Sequence, residues 1–315
     1  MKKCISIVVT GIICAIGIVL GFIKGINLTP LQFKTLKVLS IICASSALYC
    51  FLVGEISQNN SQMDKLWSVL PIAYTWVIAG MGGFNIRLVV IAILVTLWGI
   101  RLTYNFGKKG AYKLKFWEGE EDYRWSILRS KKLFKNKIVW ALFDLGFISI
   151  YQNFIVLIIC LSALALMEST VSFNLFDGIA TILALFFLII ETIADIEQWN
   201  FHKKKKELLS TGKNLKDIEE PYNKGFNTIG LWNRMRHPNY LGEQGFWVAI
   251  FLFTIGHGIS HYYIFNWSIF GCLMLILLFL GSSTFGEAIS SSKYPEYKDY
   301  QKRIFKYLPL RGYNK

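Results

Sequence analysis

Apolar runs long enough to cross a bilayer recur along the whole chain, and their spacing leaves few other ways for it to fold. A helix needs about 20 residues to traverse a hydrocarbon core roughly 30 Å thick. Such runs predict spans near 4–23, 38–54, 67–81, 86–106, 138–167, 178–199, 240–256 and 264–283. The third and seventh are short. The fifth is the longest, and Tyr151-Gln152-Asn153 interrupts it midway, where a kink or a polar contact is expected. With 54% hydrophobic and 17% charged residues among 315, the chain holds more apolar surface than one soluble core buries. The predicted fold class is therefore all-α: a polytopic transmembrane helix bundle of about eight spans.

Charge distribution orients this bundle. The net charge of +14 does not sit on one soluble module, which argues against nucleic acid as the partner. Lysines and arginines instead fill the loop at 107–137, open the loop at 200–239 with Lys203 to Lys206, and return in the tail after 284. Eight spans put these segments on one side with Lys2 and Lys3, and the loops near 168–177 and 257–263 carry no Lys or Arg. Positive-inside bias then predicts that both termini are cytoplasmic. The first span reads as a retained signal-anchor helix, because no small-residue cleavage pattern precedes Gly25. All six cysteines lie inside apolar runs without paired spacing, so neither a metal site nor a disulfide framework is expected.

Polar groups are sparse in residues 1–60, which read as N-terminal transmembrane helices, and frequent from Asp64 onward, so 61–315 reads as one membrane domain carrying the chemistry. No Gly-x-Gly-x-x-Gly follows a candidate strand, and Gly80-Met81-Gly82-Gly83 lies between two spans. A Rossmann domain is excluded, and any nucleotide must be held by membrane helices and their loops.

Four constellations stand out. Glu191, Asp195, Gln198 and His202 are spaced by four, three and four residues, which puts them on one helical face entering the membrane. Charged groups there need partners; the stripe is either a ligand site or an ion pair with Arg101 or Arg234. Next comes Arg234-Met-Arg236-His237-Pro238-Asn239-Tyr240-Leu-Gly242-Glu243, with Pro238 suited to a first helical turn and the helix start suited to anions or lipid headgroups. The tail, Lys293 to Pro309, is a Tyr-rich amphipathic stretch that ends in a proline stop, a pattern common in interfacial anchors and by itself weakly informative. Upstream lie Asp64, Trp98, Arg101, Tyr104 and the motif Glu121-Asp122-Tyr123-Arg124-Trp125. Asp64 is either an acid kept protonated in an apolar pocket, able to polarise a carbonyl, or an N-cap for the span starting at Trp67.

Arg236-His237-Pro238-Asn239-Tyr240-Leu241-Gly242-Glu243, together with Glu191 to Asp195 and Tyr297 to Pro309, resembles the steroid 5α-reductase superfamily over roughly 60–310. Trp98-x-x-Arg101-Leu102 and Glu121 to Arg124 resemble its bacterial membrane-protein branch. The resemblance implies a multi-pass protein of the bacterial cytoplasmic membrane, or of the endoplasmic reticulum in a eukaryote. It implies an NADPH-dependent oxidoreductase that reduces an enone-type carbon–carbon double bond in a steroid-like or isoprenoid substrate entering from the bilayer. By the same resemblance Glu191, Asp195 and His202 line the nucleotide, and Asn239, Tyr240 and Glu243 hold its nicotinamide end. Arg234, Arg236 and His237 meet phosphates, and Lys293, Tyr294 and Tyr297 close over the cofactor. Asp64 is the expected catalytic acid, helped by Tyr104 or Trp98. Steroid-reducing relatives pair that acid with a Tyr, where Trp98 stands here, so the substrate is left open. The alternative is a membrane methyltransferase using S-adenosylmethionine and resembling isoprenylcysteine carboxyl methyltransferase, which shares an Arg-His-Pro-x-Tyr-x-Gly element.

Overall fold

The structure is a computed structural model and describes residues 28–255 and 266–313. Among the described residues it contains helices and turns and no strand. Its helices are α1 (Pro30–Ser57), α2 (Gln62–Leu66), α3 (Leu70–Met81), α4 (Ile86–Lys108), α5 (Tyr123–Arg129), α6 (Lys137–Ala165), α7 (Leu175–Ser210), α8 (Pro238–Leu252), α9 (Ile269–Lys293) and α10 (Tyr297–Arg303). Five of them, α1, α4, α6, α7 and α9, are long and apolar enough to cross a membrane. The predicted spans near 67–81 and 240–256 are present as α3 and α8, with 12 and 15 residues. At 1.5 Å per residue these reach only about 18 and 22 Å. The span predicted at 4–23 lies outside the described residues.

Local chemistry sets the helix starts. Thr29 caps α1 in a capping box with Gln32, followed by Pro30 at the first position. Asn174 caps α7 in a second box with Asp177, and the Asn85 and Asn136 side chains cap α4 and α6. Each such cap contributes about 1 kcal/mol. The polar interruption in the fifth span has a structural counterpart: Asp144–Tyr151 is wound as a π-helix, and Asn153 donates to the Ser149 carbonyl at 2.7 Å just beyond it. The basic run Lys203 to Lys206, expected to open a loop, instead continues α7 to Ser210, since lysine is a good helix former.

Lipid gives no hydrophobic drive between helices, so close packing and polar contacts must hold them together. A Cβ at Gly242 would lie 2.5 Å from the Glu191 Cβ, and one at Gly245 would lie 2.3 Å from the Phe187 ring. Their bare backbones therefore let α8 seat directly on α7. Trp98 of α4 stacks on Phe246 at 5.9 Å and meets Trp247 edge-on at 5.1 Å, filling the space between α4 and α8.

α4 and α7 run parallel, joined by ion pairs at two levels. Arg87 binds Asp177 at 2.8 Å with both side chains buried, and it also donates to the Val171 and Ser172 carbonyls. Fourteen residues further along α4, about 21 Å up the helix axis, Arg101 meets Glu191 and Asp195. The second level forms the polar junction of the bundle.

Candidate functional site

Helical periodicity brings the acidic stripe to the junction. Glu191 and Asp195, one turn apart on α7, both face Arg101, which binds Asp195 at 2.6 Å and also pairs with Glu191. Asp195 further accepts from Asn105 of α4 at 2.9 Å and from Asn239 of α8 at 3.3 Å. Beside Glu191 stands the Glu243 carboxyl, which accepts from the Trp98 indole at 3.0 Å and the Trp67 indole at 3.4 Å. Three helices thus deliver three carboxyl groups, one guanidinium and two amides to one place. Of the two arginines considered from sequence, Arg101 is the partner, and Arg234 is exposed.

Several polar atoms here are left over. Arg101 Nε and Gln198 Oε1 are buried and make no hydrogen bond. A buried donor or acceptor without a partner costs about 1–3 kcal/mol, so an apolar bundle retains such atoms at a penalty unless something meets them. His202 continues the stripe toward the surface, 3.1 Å from Gln198.

A second cluster surrounds Asp64. The motif Glu121 to Arg124 folds back on the start of α2: Glu121 accepts from the Asn60 N–H at 2.8 Å, and Asp122 N–H donates to the Ser61 hydroxyl at 2.9 Å. Arg124 grips Asp122 through two bonds of 2.8 and 2.9 Å and reaches Ser282 of α9 at 2.9 Å. Lys65, fully buried, closes the loop by donating to the Phe116 and Glu118 carbonyls, each at 2.7 Å. Asp64 accepts from the Trp125 indole at 2.9 Å. Burial pushes its carboxyl above the usual range, with the nearby Asp122 adding to the shift and Arg124 opposing it. For Asp122 burial acts upward too, but the Arg124 guanidinium outweighs it and holds that carboxyl low.

Several expectations need correction. Asp64 is no N-cap, since it lies within α2. Neither Trp98 nor Tyr104 hydrogen-bonds it: Trp98 is committed to Glu243, and Tyr104 is 65% exposed with Lys108 over its ring. The indole on Asp64 belongs to Trp125, inside the motif Glu121 to Trp125, which the sequence marked only as a motif.

The predicted phosphate residues are also placed differently. Arg236 binds Glu287 of α9 at 2.7 Å and donates to the Gln301 carbonyl at 3.0 Å, and His237 lies 2.9 Å from the same Glu287. Burial lowers the His237 pKa, partly offset by Glu287. These two side chains clamp the tail rather than stand free. Tyr240 stacks on His237 at 5.1 Å, meets Phe279 edge-on at 4.6 Å, and lies near Arg124. Tyr297 is buried in an aromatic cluster with Phe226 and Tyr300 and is a packing residue. Tyr294 and Lys293 lie beside it, Tyr294 covering Gly225, whose carbonyl accepts from Lys205 at 2.7 Å. Among the described residues no group of three His, Cys, Asp or Glu is arranged to hold a metal ion.

Comparison with known proteins places the chain beside a family and a relative. A family profile described as "Protein of unknown function (DUF1295)" matches residues 50–304, which include both clusters. An uncharacterized protein of Schizosaccharomyces pombe is 33% identical over 289 residues, covering 83% of this chain and 78% of its own. No solved structure matches significantly.

Proposed function

The chain belongs to the DUF1295 family, and we propose that it is a membrane NADPH-dependent reductase of an activated carbon–carbon double bond in a lipophilic, steroid-like or isoprenoid substrate. On this reading it resembles the steroid 5α-reductase superfamily, spans the membrane about eight times and keeps both termini in the cytoplasm. The supporting observation is the polar junction of α4, α7 and α8, with its unpartnered buried Arg101 Nε and Gln198 Oε1 inside an apolar bundle. Ribose hydroxyls and a carboxamide present the complementary donors and acceptors. Asp195, Glu191 and Glu243 accept, Asn239 and Arg101 donate, and His202 with Lys203 to Lys206 extends the surface toward the phosphates.

Bound NADPH supplies a hydride. The chain's own contribution is to exclude water through Trp98, Phe246 and Trp247, to orient the cofactor at the junction, and to hold a proton on Asp64. The Trp125 indole fixes the Asp64 carboxyl, and a protonated Asp64 donates a hydrogen bond to the carbonyl oxygen of an enone, where charge develops.

One observation favours a second reading. Three carboxyl groups face a single guanidinium at the junction, and such an acid excess suits a cationic cofactor such as S-adenosylmethionine in a methyltransferase. Thermal stability of the purified protein in detergent with NADPH, NADH or S-adenosylmethionine separates the two, because a ligand that binds only the folded state stabilises it by RT ln(1 + [L]/Kd). Stabilisation by NADPH beyond that by NADH supports the reductase. A shift with S-adenosylmethionine alone replaces it.

A further inference from the structure

We propose that the C-terminal tail forms a binding site for the phosphate of an anionic phospholipid, with its apolar residues set into the same membrane face. A recess of about 220 Å³ is lined by Arg236, Lys302, Arg303, Phe305, Lys306 and Arg311 among others; Arg236 is held by Glu287 at 2.7 Å and Arg303 by Asp299 at 2.9 Å, which leaves the exposed Lys302 and Arg311 to meet a phosphate. Beside this recess the chain exposes apolar groups: Phe305 is 41%, Leu308 55% and Leu310 67% exposed. Three large apolar residues in six, interleaved with Lys306 and Arg311, are unfavourable in water and suited to a headgroup boundary, where cations meet phosphate and side chains reach the acyl region.

The level at which the tail is held identifies its surroundings. α9 is apolar from Ile269 to Leu280 and turns polar at Ser282, Ser283 and Thr284, so this point marks where the helix leaves hydrocarbon. The tail is tied to it: Lys306 donates to Ser283 at 3.1 Å and to Thr284 at 3.3 Å, and the Tyr307 hydroxyl meets Ser283 at 3.2 Å. Leu308 and Leu310 follow directly.

The lipid site is joined to the polar junction through backbone. Arg236 N–H donates to the Phe305 carbonyl at 3.1 Å, His237 N–H to the Lys306 carbonyl at 3.0 Å, and Asn239 begins the turn that reaches Asp195. A lipid that orders the tail therefore also orders the start of α8. This inference rests on the membrane reading and is independent of which cofactor binds.

The test uses the full chain in vesicles of phosphatidylcholine with or without phosphatidylglycerol, read by thermal unfolding without cofactor. Phosphatidylglycerol should raise the melting temperature of the parent by about 5 °C, the scale expected for a ligand well above its Kd, and the rise should shrink with salt. Lys302→Gln combined with Arg311→Gln, both at exposed positions, should abolish the rise while leaving the melting temperature in pure phosphatidylcholine unchanged; Lys302→Arg with Arg311→Lys should retain it. An undiminished rise in the glutamine variant would place lipid binding elsewhere and overturn the proposal. Pyrophosphate in detergent should give no shift; a shift lost in the glutamine variant would make this a soluble-phosphate site and overturn the lipid assignment.

Discussion

Gly242 lies against Glu191 so closely that a Cβ added to it would come within 2.5 Å of the Glu191 Cβ and 2.9 Å of its backbone nitrogen. The atoms it would meet belong to the helix itself and cannot swing aside. Gly242→Ala should therefore force α8 away from α7 and lower stability by about 1–3 kcal/mol, the usual scale of overpacking. Thermal unfolding in detergent checks this, and an unchanged transition would show that the helices sit further apart than described.

Among the described residues Arg101 is the sole guanidinium paired with Glu191 and Asp195, and its side chain is 13% exposed. Arg101→Met should cost about 3–5 kcal/mol, because it leaves buried carboxylates uncompensated. Adding Glu191→Gln should recover part of that loss, a non-additivity read from a double-mutant cycle. Arg87→Met, at the other level of the same helix pair, should destabilise the protein without changing which cofactor stabilises it.

Asn239 makes one contact to another helix, donating to Asp195 at 3.3 Å, while its amide oxygen accepts from the adjacent Tyr240 N–H at 3.1 Å. Its replacement by alanine should change the apo-protein by only about 1 kcal/mol, the worth of one ordinary hydrogen bond, yet remove the stabilisation by NADPH. A variant that unfolds without any cofactor would make Asn239 structural instead.

Asp64 carries a pH signature. Its folded-state pKa lies above the unfolded value, so the folded protein binds the extra proton and this group's contribution is lost as pH rises from the ordinary carboxylate range through the raised folded value. Asp64→Asn should flatten that decline in a pH series of thermal unfolding. In single-turnover oxidation of NADPH against a panel of enones, Asp64→Leu should lose most activity and Asp64→Asn only part. A lost oxyanion donor costs about 3–4 kcal/mol; unchanged rates with leucine would remove Asp64 from the reaction.

The acidic stripe was legible because helical spacing alone puts Glu191, Asp195, Gln198 and His202 on one face, and the long apolar runs announced α1, α4, α6, α7 and α9. The partners of Arg236 and His237 were not legible, for a physical reason. Their partner Glu287 follows some fifty residues later, and the carbonyls that complete the clamp belong to Gln301 and Ile304. Nothing local distinguishes a guanidinium awaiting a phosphate from one bound to a distant carboxylate. Tyr104 was misplaced by rotation: six residues beyond Trp98 it points to another side of α4. Trp125 carried no positional signal, because its approach to Asp64 depends on a loop folding back over α2.

α7 is a single rod of 36 residues, about 54 Å long at 1.5 Å per residue, against a hydrocarbon core of roughly 30 Å. It also carries the loop leading to α8, through Lys205 on Gly225 and Glu197 on the Leu231 N–H. A beam that projects about 24 Å beyond the core acts as a lever, so a change in tilt of about ten degrees sweeps its free end by about 4 Å. A change of tilt would therefore be felt most by the groups fixed near its far end, Lys205 on the Gly225 carbonyl and Glu197 on the Leu231 N–H, and through them by the loop that leads to α8.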